Sequence, residues 1–158
     1  MNVTPLHKSK LCKDVIEFKR PTIGSIVRTH FPNVEGVDPN NPERPKPRPG
    51  LIVGIDDKNN VIVVYGTTQR TSENELYDTE LVIRNSDRDY CYTGLAHDTK
   101  FNFEREVKLP FNSEYFSIPR STSTKTYTCP RIGILPVSYY DNMKKAANNA
   151  QAKLRKAV

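Results

Sequence analysis

An arginine and two threonines flank a pair of short apolar runs in a way that could bring their side chains together on one phosphate. Arg48 precedes the first run, residues 51–53. Thr67 and Thr68 follow the second run, residues 61–65. A guanidinium stays charged at physiological pH and donates paired hydrogen bonds to phosphate oxygens, and a threonine hydroxyl can donate one more. Such groups could neutralise the negative charge that builds up when a phosphate is attacked.

The two apolar runs are predicted to pair as a β-hairpin. They are short, continuous and rich in β-branched residues, which favours buried strands over helices at this length. The polar residues 56–60 separate them, and Asp and Asn can make the local side-chain bonds that shape a turn. Pairing about this turn places Val53 near Val61 or Ile62. It also brings Arg48 beside the threonines.

The ends of this hairpin resemble the site of the MazF/PemK family of bacterial type II toxins. In that family an arginine followed by a proline opens one strand, and a threonine two residues before a glutamine closes the next. These positions correspond here to Arg48, Thr67 and Gln69. Residues 24–32 resemble the first strand of the family, so the resemblance covers residues 24–69.

The resemblance implies a mainly β (α+β) fold, an SH3-like small barrel with a C-terminal helix. It implies a metal-independent, sequence-specific endoribonuclease, or mRNA interferase, that is the toxin of a type II toxin–antitoxin system and needs no cofactor. Arg48 and Thr67 would be its catalytic residues. The products would be a 2′,3′-cyclic phosphate and a 5′-hydroxyl. The implied partners are single-stranded RNA, a cognate antitoxin and a second copy of the chain in a homodimer.

Further residues are predicted to bind the substrate beside the catalytic pair. Thr68 and Gln69 adjoin Thr67 in sequence. Arg44 and Lys46 are either solvated loop charges or phosphate contacts beside the catalytic arginine. Lys100 belongs to an Asp-Thr-Lys-Phe run that resembles longer PemK-like proteins.

The residue that accepts a proton from the ribose 2′-hydroxyl is not fixed by the sequence. His30, His97, Asp98 and water are the candidates. An adjacent His-Asp pair is more often structural than catalytic or metal-binding. An alternative function is a non-catalytic SH3-like barrel that holds nucleic acid or a protein partner in the same groove, because such barrels serve unrelated functions.

Length and charge set the broad limits. The chain has 158 residues and a mass of 18.0 kDa, which predicts one domain over residues 21–158 after a basic N-terminal arm or short helix over residues 1–20. A net charge of +6 and a pI near 9.2 are compatible with a polyanionic partner, although this signal alone is weak.

No run approaches the ~18 apolar residues that a membrane span needs, and residues 1–20 lack the apolar stretch of a secretory signal. These features predict a cytoplasmic protein without membrane contact. Cys12, Cys91 and Cys129 are odd in number and far apart, which predicts free thiols and no metal site built from cysteines.

The first strand is predicted over residues 25–31, with Val27 and Phe31 facing inward. Residues 32–49 contain six prolines and should form neither a helix nor a central strand. A loop of this length in a compact domain is usually functional or disordered. The resemblance implies that it covers the substrate groove.

Later strands are predicted within residues 77–85, 103–109 and 131–135. The aromatic residues of segment 111–119 should pack on the barrel, although base stacking is an alternative. In a homodimer, apolar contact surface could come from three residues of this segment: Phe111, Tyr115 and Phe116.

A helix is predicted over residues 137–157. Ser138 is expected as its N-cap, with Asp141 three residues later near the positive end of the helix dipole. The predicted apolar stripe consists of Tyr139, Met143, Ala146 or Ala147, Ala150, Leu154 and Ala157.

Overall fold

The computed structural model describes residues 15–32, 34 and 36–157. Within these residues the chain forms β1 (Ser25–Thr29), β2 (Val37–Asp38), β3 (Asn41–Pro45), β4 (Arg48–Ile55), β5 (Asn60–Thr67), β6 (Glu80–Ile83), β7 (Thr99–Pro110), β8 (Arg131–Ile134) and the helix α1 (Tyr140–Lys156). Short 3-10 helices span Glu73–Glu75, Tyr90–Tyr92 and Val137–Tyr139. Most of the basic arm predicted over residues 1–20 lies outside the described residues.

Six strands form one antiparallel sheet in the order β6-β7-β5-β4-β1-β8, which curls into a half-barrel with β6 and β8 at its edges. The predicted mainly β fold with a C-terminal helix is therefore confirmed. β2 and β3 form a separate two-stranded sheet. No helix in the part of the chain that the structure describes is long and apolar enough to cross a membrane.

Both faces of the central strands are covered by apolar side chains. Along β1, Ile26 belongs to one core cluster and Val27 to another, and both are fully buried. The same alternation recurs at Leu51 and Ile52 in β4. Because successive strand residues point to opposite faces, burial on both sides explains why these runs are continuously apolar.

The β4–β5 hairpin predicted from the sequence is confirmed. A register irregularity between Ile52 and Gly54 accommodates Val53. In the turn, the Asp56 carboxylate accepts backbone hydrogen bonds from Lys58 and Asn60, each at 2.9 Å. The hydrogen bonds to Asp56 hold the pKa of its carboxyl below the usual value, and the bond from the Asn60 side chain contributes most.

β7 has 12 residues and is interrupted by a three-residue bulge. Val64 of β5 pairs with Glu106, whereas the next residue, Tyr65, pairs with Asn102. Residues 103–105 therefore have no partner in β5. A bulge bends its strand and redirects side chains, so the middle of β7 departs from the regular strand predicted over residues 103–109.

The segment over residues 32–49 was expected to be one loop without regular structure. It instead contains β2 and β3, and its end starts β4 at Arg48. The two short strands pair only with each other, so proline costs no central sheet bond here.

The aromatic segment packs inward, as the sequence favours. The suggestion that it supplies exposed dimer surface is wrong for Phe111 and Phe116, which are 3% and 0% exposed. Their rings meet edge to face with centroids 4.8 Å apart. The first strand, predicted over residues 25–31, ends at Thr29. The expected burial of Val27 and Phe31 is confirmed, but Ile26 and His30 are buried as well.

The predicted helix is confirmed, with two corrections. Ser138 does not cap it, because Ser138 lies in the preceding 3-10 turn Val137–Tyr139 and the helix starts after Tyr139 without a side-chain cap. The Ser138 hydroxyl donates to Asp89 at 2.7 Å. The apolar stripe packs as far as Ala150, whereas Leu154 is 66% exposed and Ala157 is exposed. Leu154 and Ala157 line an open groove between α1 and β7, so this part of the stripe faces the sheet without being covered by it.

Candidate functional site

Arg48 and Thr67 stand opposite each other on adjacent strands. Arg48 is the first residue of β4 and Thr67 the last residue of β5. The pairing of Gly50 with Tyr65, continued by two residues, sets Arg48 across from Thr67. Both line an open cleft of about 520 Å³, which we call the Thr67 cleft. Its lining residues are Val34, Arg48, Tyr65, Thr67, Gln69, Arg70, Tyr77, Glu80, Lys100, Asn102 and Arg105.

Gly66 allows the two strand ends to approach closely. A β-carbon at Gly66 would lie 2.5 Å from the Pro49 carbonyl oxygen and 2.7 Å from a ring carbon of Phe101. Atoms at such distances overlap, and both neighbours are held by the sheet. A residue without a side chain is therefore needed beside Thr67 for this spacing from Arg48.

The Thr67 hydroxyl is oriented by the chain that follows it. Its oxygen accepts a hydrogen bond from the Gln69 backbone N–H at 3.1 Å. A hydroxyl can accept and donate at once. The Thr67 hydroxyl can therefore donate its proton to a group in the cleft while its oxygen accepts the bond from Gln69.

Two guanidinium groups border the Tyr65 ring. The central carbon of the Arg48 guanidinium lies 5.8 Å from the ring centroid, and that of Arg105 lies 4.1 Å from it. Arg105 is exposed and belongs to the β7 bulge. Sequence reasoning missed Arg105 because no local pattern marks where a bulge begins. Arg70, also missed, lines the same cleft and has a φ of 53°.

Lys100 lies at the floor of the Thr67 cleft and is 5% exposed. Its ammonium nitrogen is 3.2 Å from a Glu80 carboxylate oxygen and donates to the Glu75 carbonyl at 3.4 Å. Its charge is thus largely balanced inside the protein. The predicted contact of Lys100 with substrate stays a prediction.

A second concavity lies on the other side of Arg48 and takes in Thr68. We call it the Tyr127 pocket, and its volume is about 340 Å³. Thr67 and Thr68 therefore line different concavities, as neighbouring residues of an extended chain should. Among the residues that the structure describes, only Arg48 is common to the lining of both. Its lining includes Arg28, Arg48, Thr68, Leu95, His97, Arg120, Tyr127 and Ile132.

Arg44 and Lys46 line neither of these two concavities. The Arg44 side chain donates to Asp38 at 3.1 Å and to the Ser113 carbonyl at 3.4 Å. Lys46 is exposed, and its backbone N–H donates to the Gly36 carbonyl at 3.2 Å. Their predicted phosphate contacts stay predictions, and Arg44 has a structural role in this segment.

His30 is held in a buried polar network. It is 1% exposed, and its Nδ1 lies 2.7 Å from the Pro45 carbonyl oxygen, so Nδ1–H donates there. Its Nε2 then accepts from the Ser117 hydroxyl at 2.8 Å, and that hydroxyl accepts from Arg28 at 2.7 Å. Burial is the main cause that lowers the pKa of His30 below its usual value, and Arg44 and Arg28 add to it. Both ring nitrogens are committed to the fold.

The remaining candidate proton acceptors differ in accessibility. The Asp98 carboxylate accepts the Asn85 backbone N–H at 2.7 Å and lies 3.6 Å from the Arg84 guanidinium. His97 is exposed and lines the Tyr127 pocket. Asp98 is therefore partly exposed but paired with Arg84, and His97 is exposed on the side of Arg48 away from the Thr67 cleft.

Cys91 and Cys129 are exposed free thiols, and Cys12 lies outside the described residues. Among residues 15–32, 34 and 36–157, no three His, Cys, Asp or Glu side chains converge as metal ligands would.

Comparison with known proteins identifies the fold. No protein-family model matches the chain, and no curated protein matches it either. Solved structures do match. The Mycobacterium tuberculosis toxin MazF-mt6 is 18% identical with a TM-score of 0.51, over 81% of this chain and 96% of that one. An endoribonuclease from a mycobacterial species is 16% identical with a TM-score of 0.51, over 85% and 94% of the two chains.

A third structure is an endoribonuclease in complex with its cognate antitoxin, also from a mycobacterial species. It is 16% identical with a TM-score of 0.50, over 84% of this chain and 95% of that one. The chain therefore has the fold of these toxins along nearly their whole length.

Proposed function

We propose that this protein is a metal-independent, sequence-specific endoribonuclease and the toxin of a type II toxin–antitoxin system. The observation that carries the proposal is the placement of Arg48 opposite Thr67 at the mouth of an open cleft. The fold supports it, since of the three solved structures with this fold one is described as a toxin and two as endoribonucleases.

The proposed substrate is single-stranded RNA. The reaction needs a ribose 2′-hydroxyl as nucleophile, which DNA lacks. Arg48, Arg70 and Arg105 give the Thr67 cleft cationic groups that can follow a phosphate backbone. An open cleft also admits a strand that continues in both directions.

In the proposed reaction the 2′-oxygen forms a bond to the adjacent phosphorus and the bond from phosphorus to the 5′-oxygen breaks. Arg48 donates to the phosphate oxygens and neutralises charge in the pentacoordinate transition state. Thr67 donates its hydroxyl to one of these oxygens. The 2′-hydroxyl loses its proton to water, and the departing 5′-oxygen takes up a proton from solvent.

The proposal extends to the partners. A structure with this fold contains a cognate antitoxin, and we propose a partner of the same class here. We also propose a homodimer and, because the substrate would be messenger RNA, a cytoplasmic location. Light scattering at micromolar concentration tests the homodimer, and a monomeric mass would contradict it.

The deciding experiment incubates the purified protein with a long unstructured RNA in EDTA. We expect discrete cuts that leave 5′-hydroxyl ends, which polynucleotide kinase labels without prior phosphatase treatment. The companion fragments should end in a 2′,3′-cyclic phosphate. Retarded but intact RNA would support a non-catalytic binding module instead, and 5′-phosphate ends would refute the proposed chemistry.

A further inference from the structure

The Tyr127 pocket combines an apolar wall with an unbalanced positive charge. Leu95, Ile132 and the Tyr127 ring contribute apolar surface, and Arg28 and Arg120 contribute cations. None of the described residues that line it is acidic. Its volume of about 340 Å³ lies within the ~300–1,000 Å³ range of small-molecule sites. A ligand that fits this lining has a flat apolar part and a negative charge.

The arginines crowd one another near the pocket. Burial lowers the pKa of Arg28, and of the neighbouring charges Asp38 opposes this effect whereas Arg44 and Arg120 add to it. Arg28 is held in place by its bond to the Ser117 hydroxyl. An anion beside Arg28 and Arg120 would relieve their repulsion.

The walls of the pocket are fixed by local contacts. The Thr122 N–H donates to the Lys125 carbonyl at 2.7 Å, and the Tyr127 N–H donates to the Ser121 hydroxyl at 3.0 Å. The Lys125 ammonium lies 5.1 Å from the centroid of the Tyr127 ring. The two hydrogen bonds hold the backbone of residues 121–127, which lowers the cost of ordering this loop when a base stacks on Tyr127.

We propose that the Tyr127 pocket binds one nucleotide of the RNA strand, next to the phosphate that Arg48 holds, and thereby sets part of the sequence preference. The inference rests on the proposed function, because Arg48 joins the pocket to the Thr67 cleft. The base lies against Tyr127 and Leu95, and its phosphate faces Arg120 and Arg28. A single strand is required, since a paired base cannot turn out into a pocket.

The first test measures binding without cleavage. Isotope-labelled protein is titrated with adenosine and uridine 5′-monophosphates, with the corresponding nucleosides and with inorganic phosphate, and NMR shifts are followed. At least one nucleotide should shift the resonances of Tyr127 and Ile132 at lower concentration than phosphate or its nucleoside does. Arg120→Ala should weaken this binding about three- to tenfold, the loss of one accessible hydrogen-bonded contact. The exposed Arg131, outside the pocket lining, provides the control Arg131→Ala.

The second test maps cleavage. The 5′-hydroxyl ends from a random-sequence RNA pool are sequenced for wild type, Tyr127→Leu and the control Tyr92→Leu, which changes an exposed tyrosine outside the pocket lining. Tyr127→Leu should cut the preferred sequence about 5- to 150-fold less efficiently, the range for loss of one stacked base. It should also relax the preference at one position beside the cut.

The outcomes separate the two proposals. Nucleotide binding at Tyr127 in a protein that cuts no RNA would support the pocket and refute the proposed function. Efficient cutting with unchanged preference in Tyr127→Leu would overturn the pocket and leave the function standing. Nucleotide shifts confined to the Thr67 cleft, or no preference for nucleotide over phosphate, would also overturn the pocket.

Discussion

The two concavities that meet at Arg48 differ in shape and in chemistry. The Thr67 cleft is the larger, about 520 Å³ against about 340 Å³, and its lining includes Arg70, Arg105 and the Lys100–Glu80 pair. The Tyr127 pocket has mainly apolar walls with arginines at their margin. A strand that crosses Arg48 would meet a charged surface on one side and a stacking surface on the other. The contrast suggests that phosphate chemistry and base recognition occupy opposite sides of one arginine.

The two concavities also differ in how the chain builds them. The Thr67 cleft is formed largely by the ends and the bulge of neighbouring sheet strands, β4, β5 and β7. The Tyr127 pocket draws on the connections before β7 and before β8. Loops change more readily than a sheet. The division therefore allows sequence preference to change while the cleavage chemistry is kept.

The largest effect should follow from removing the shared residue. Arg48→Ala should lower the single-turnover rate of RNA cleavage by at least ~10³-fold, as loss of a transition-state arginine does. Arg48→Lys should recover part of the rate, because it restores the charge without paired donation. The unfolding midpoint of each variant reports whether the fold is kept. A folded Arg48→Ala protein with full activity would remove the basis of the site.

Comparison of the two threonines tests whether chemistry is confined to one side. Thr67→Val should slow single-turnover cleavage ~10- to 1,000-fold, the cost of one oriented donor, and change RNA affinity little. Thr67→Ser should restore the rate because it keeps the hydroxyl. Thr68→Val should stay within about threefold of wild type, as expected for a group outside the reacting centre. A slow Thr68→Val beside a normal Thr67→Val would reverse the assignment of the two sides.

Salt dependence distinguishes the charged side from the stacking side. Arg105→Ala should reduce the slope of log affinity against log salt concentration by about 0.7, the value for one phosphate contact on a single strand. Tyr127→Leu should weaken binding without changing this slope. RNA affinities measured between about 50 and 300 mM salt give both numbers. Equal slopes for Arg105→Ala and wild type would show that Arg105 contacts no phosphate.

The smallest effect concerns the pH dependence of stability that comes from His30, which is buried and lines neither concavity. Its folded-state pKa is below the usual value of 6.5, so the unfolded chain binds the proton more tightly. Stability from this group should be complete above about pH 6.5 and fall as the pH drops through the folded-state pKa, by about 1.4 kcal/mol per pH unit at most for one proton. Urea unfolding between about pH 8 and pH 5.5 measures this loss.

His30→Gln should flatten that dependence, although it also lowers stability by disturbing the bonds to Pro45 and Ser117. The control His97→Gln changes an exposed imidazole and should keep the wild-type dependence. An unchanged pH dependence in His30→Gln would assign the loss to other groups. Asp38, whose pKa is lowered mainly by the Asn40 backbone N–H, acts only at more acidic pH.

The hairpin that carries Arg48 and Thr67 could be predicted because its information is local. Two continuous β-branched runs flank an Asp-Asn turn, and the register then follows from the turn. The barrel itself came from a resemblance at the hairpin ends and not from the strand pattern. The mainly β class was all that the pattern could give.

The rest of the site depends on contacts between segments that are distant in the chain, and local sequence patterns do not predict these contacts. Arg105 reaches Tyr65 only because three residues of β7 bulge away from β5. Ser138 has the right type for an N-cap, but residues 137–139 fold into a 3-10 turn, so the N-cap position falls one residue later, on Tyr139. Leu154 fits the apolar stripe of α1, yet it lines an open groove beside β7 and is 66% exposed. In each case the position of the residue in the folded chain decides its role, and the local sequence pattern does not.

The close packing around Gly66 has a consequence for which mutations would inactivate the protein. It carries no reactive group, yet any side chain there would push apart the two strand ends that hold Arg48 and Thr67. If the protein is a toxin, cells that survive its overproduction carry alleles that have lost activity. Such alleles should include missense changes at Gly66 as well as at Arg48, and their products should be expressed at full length.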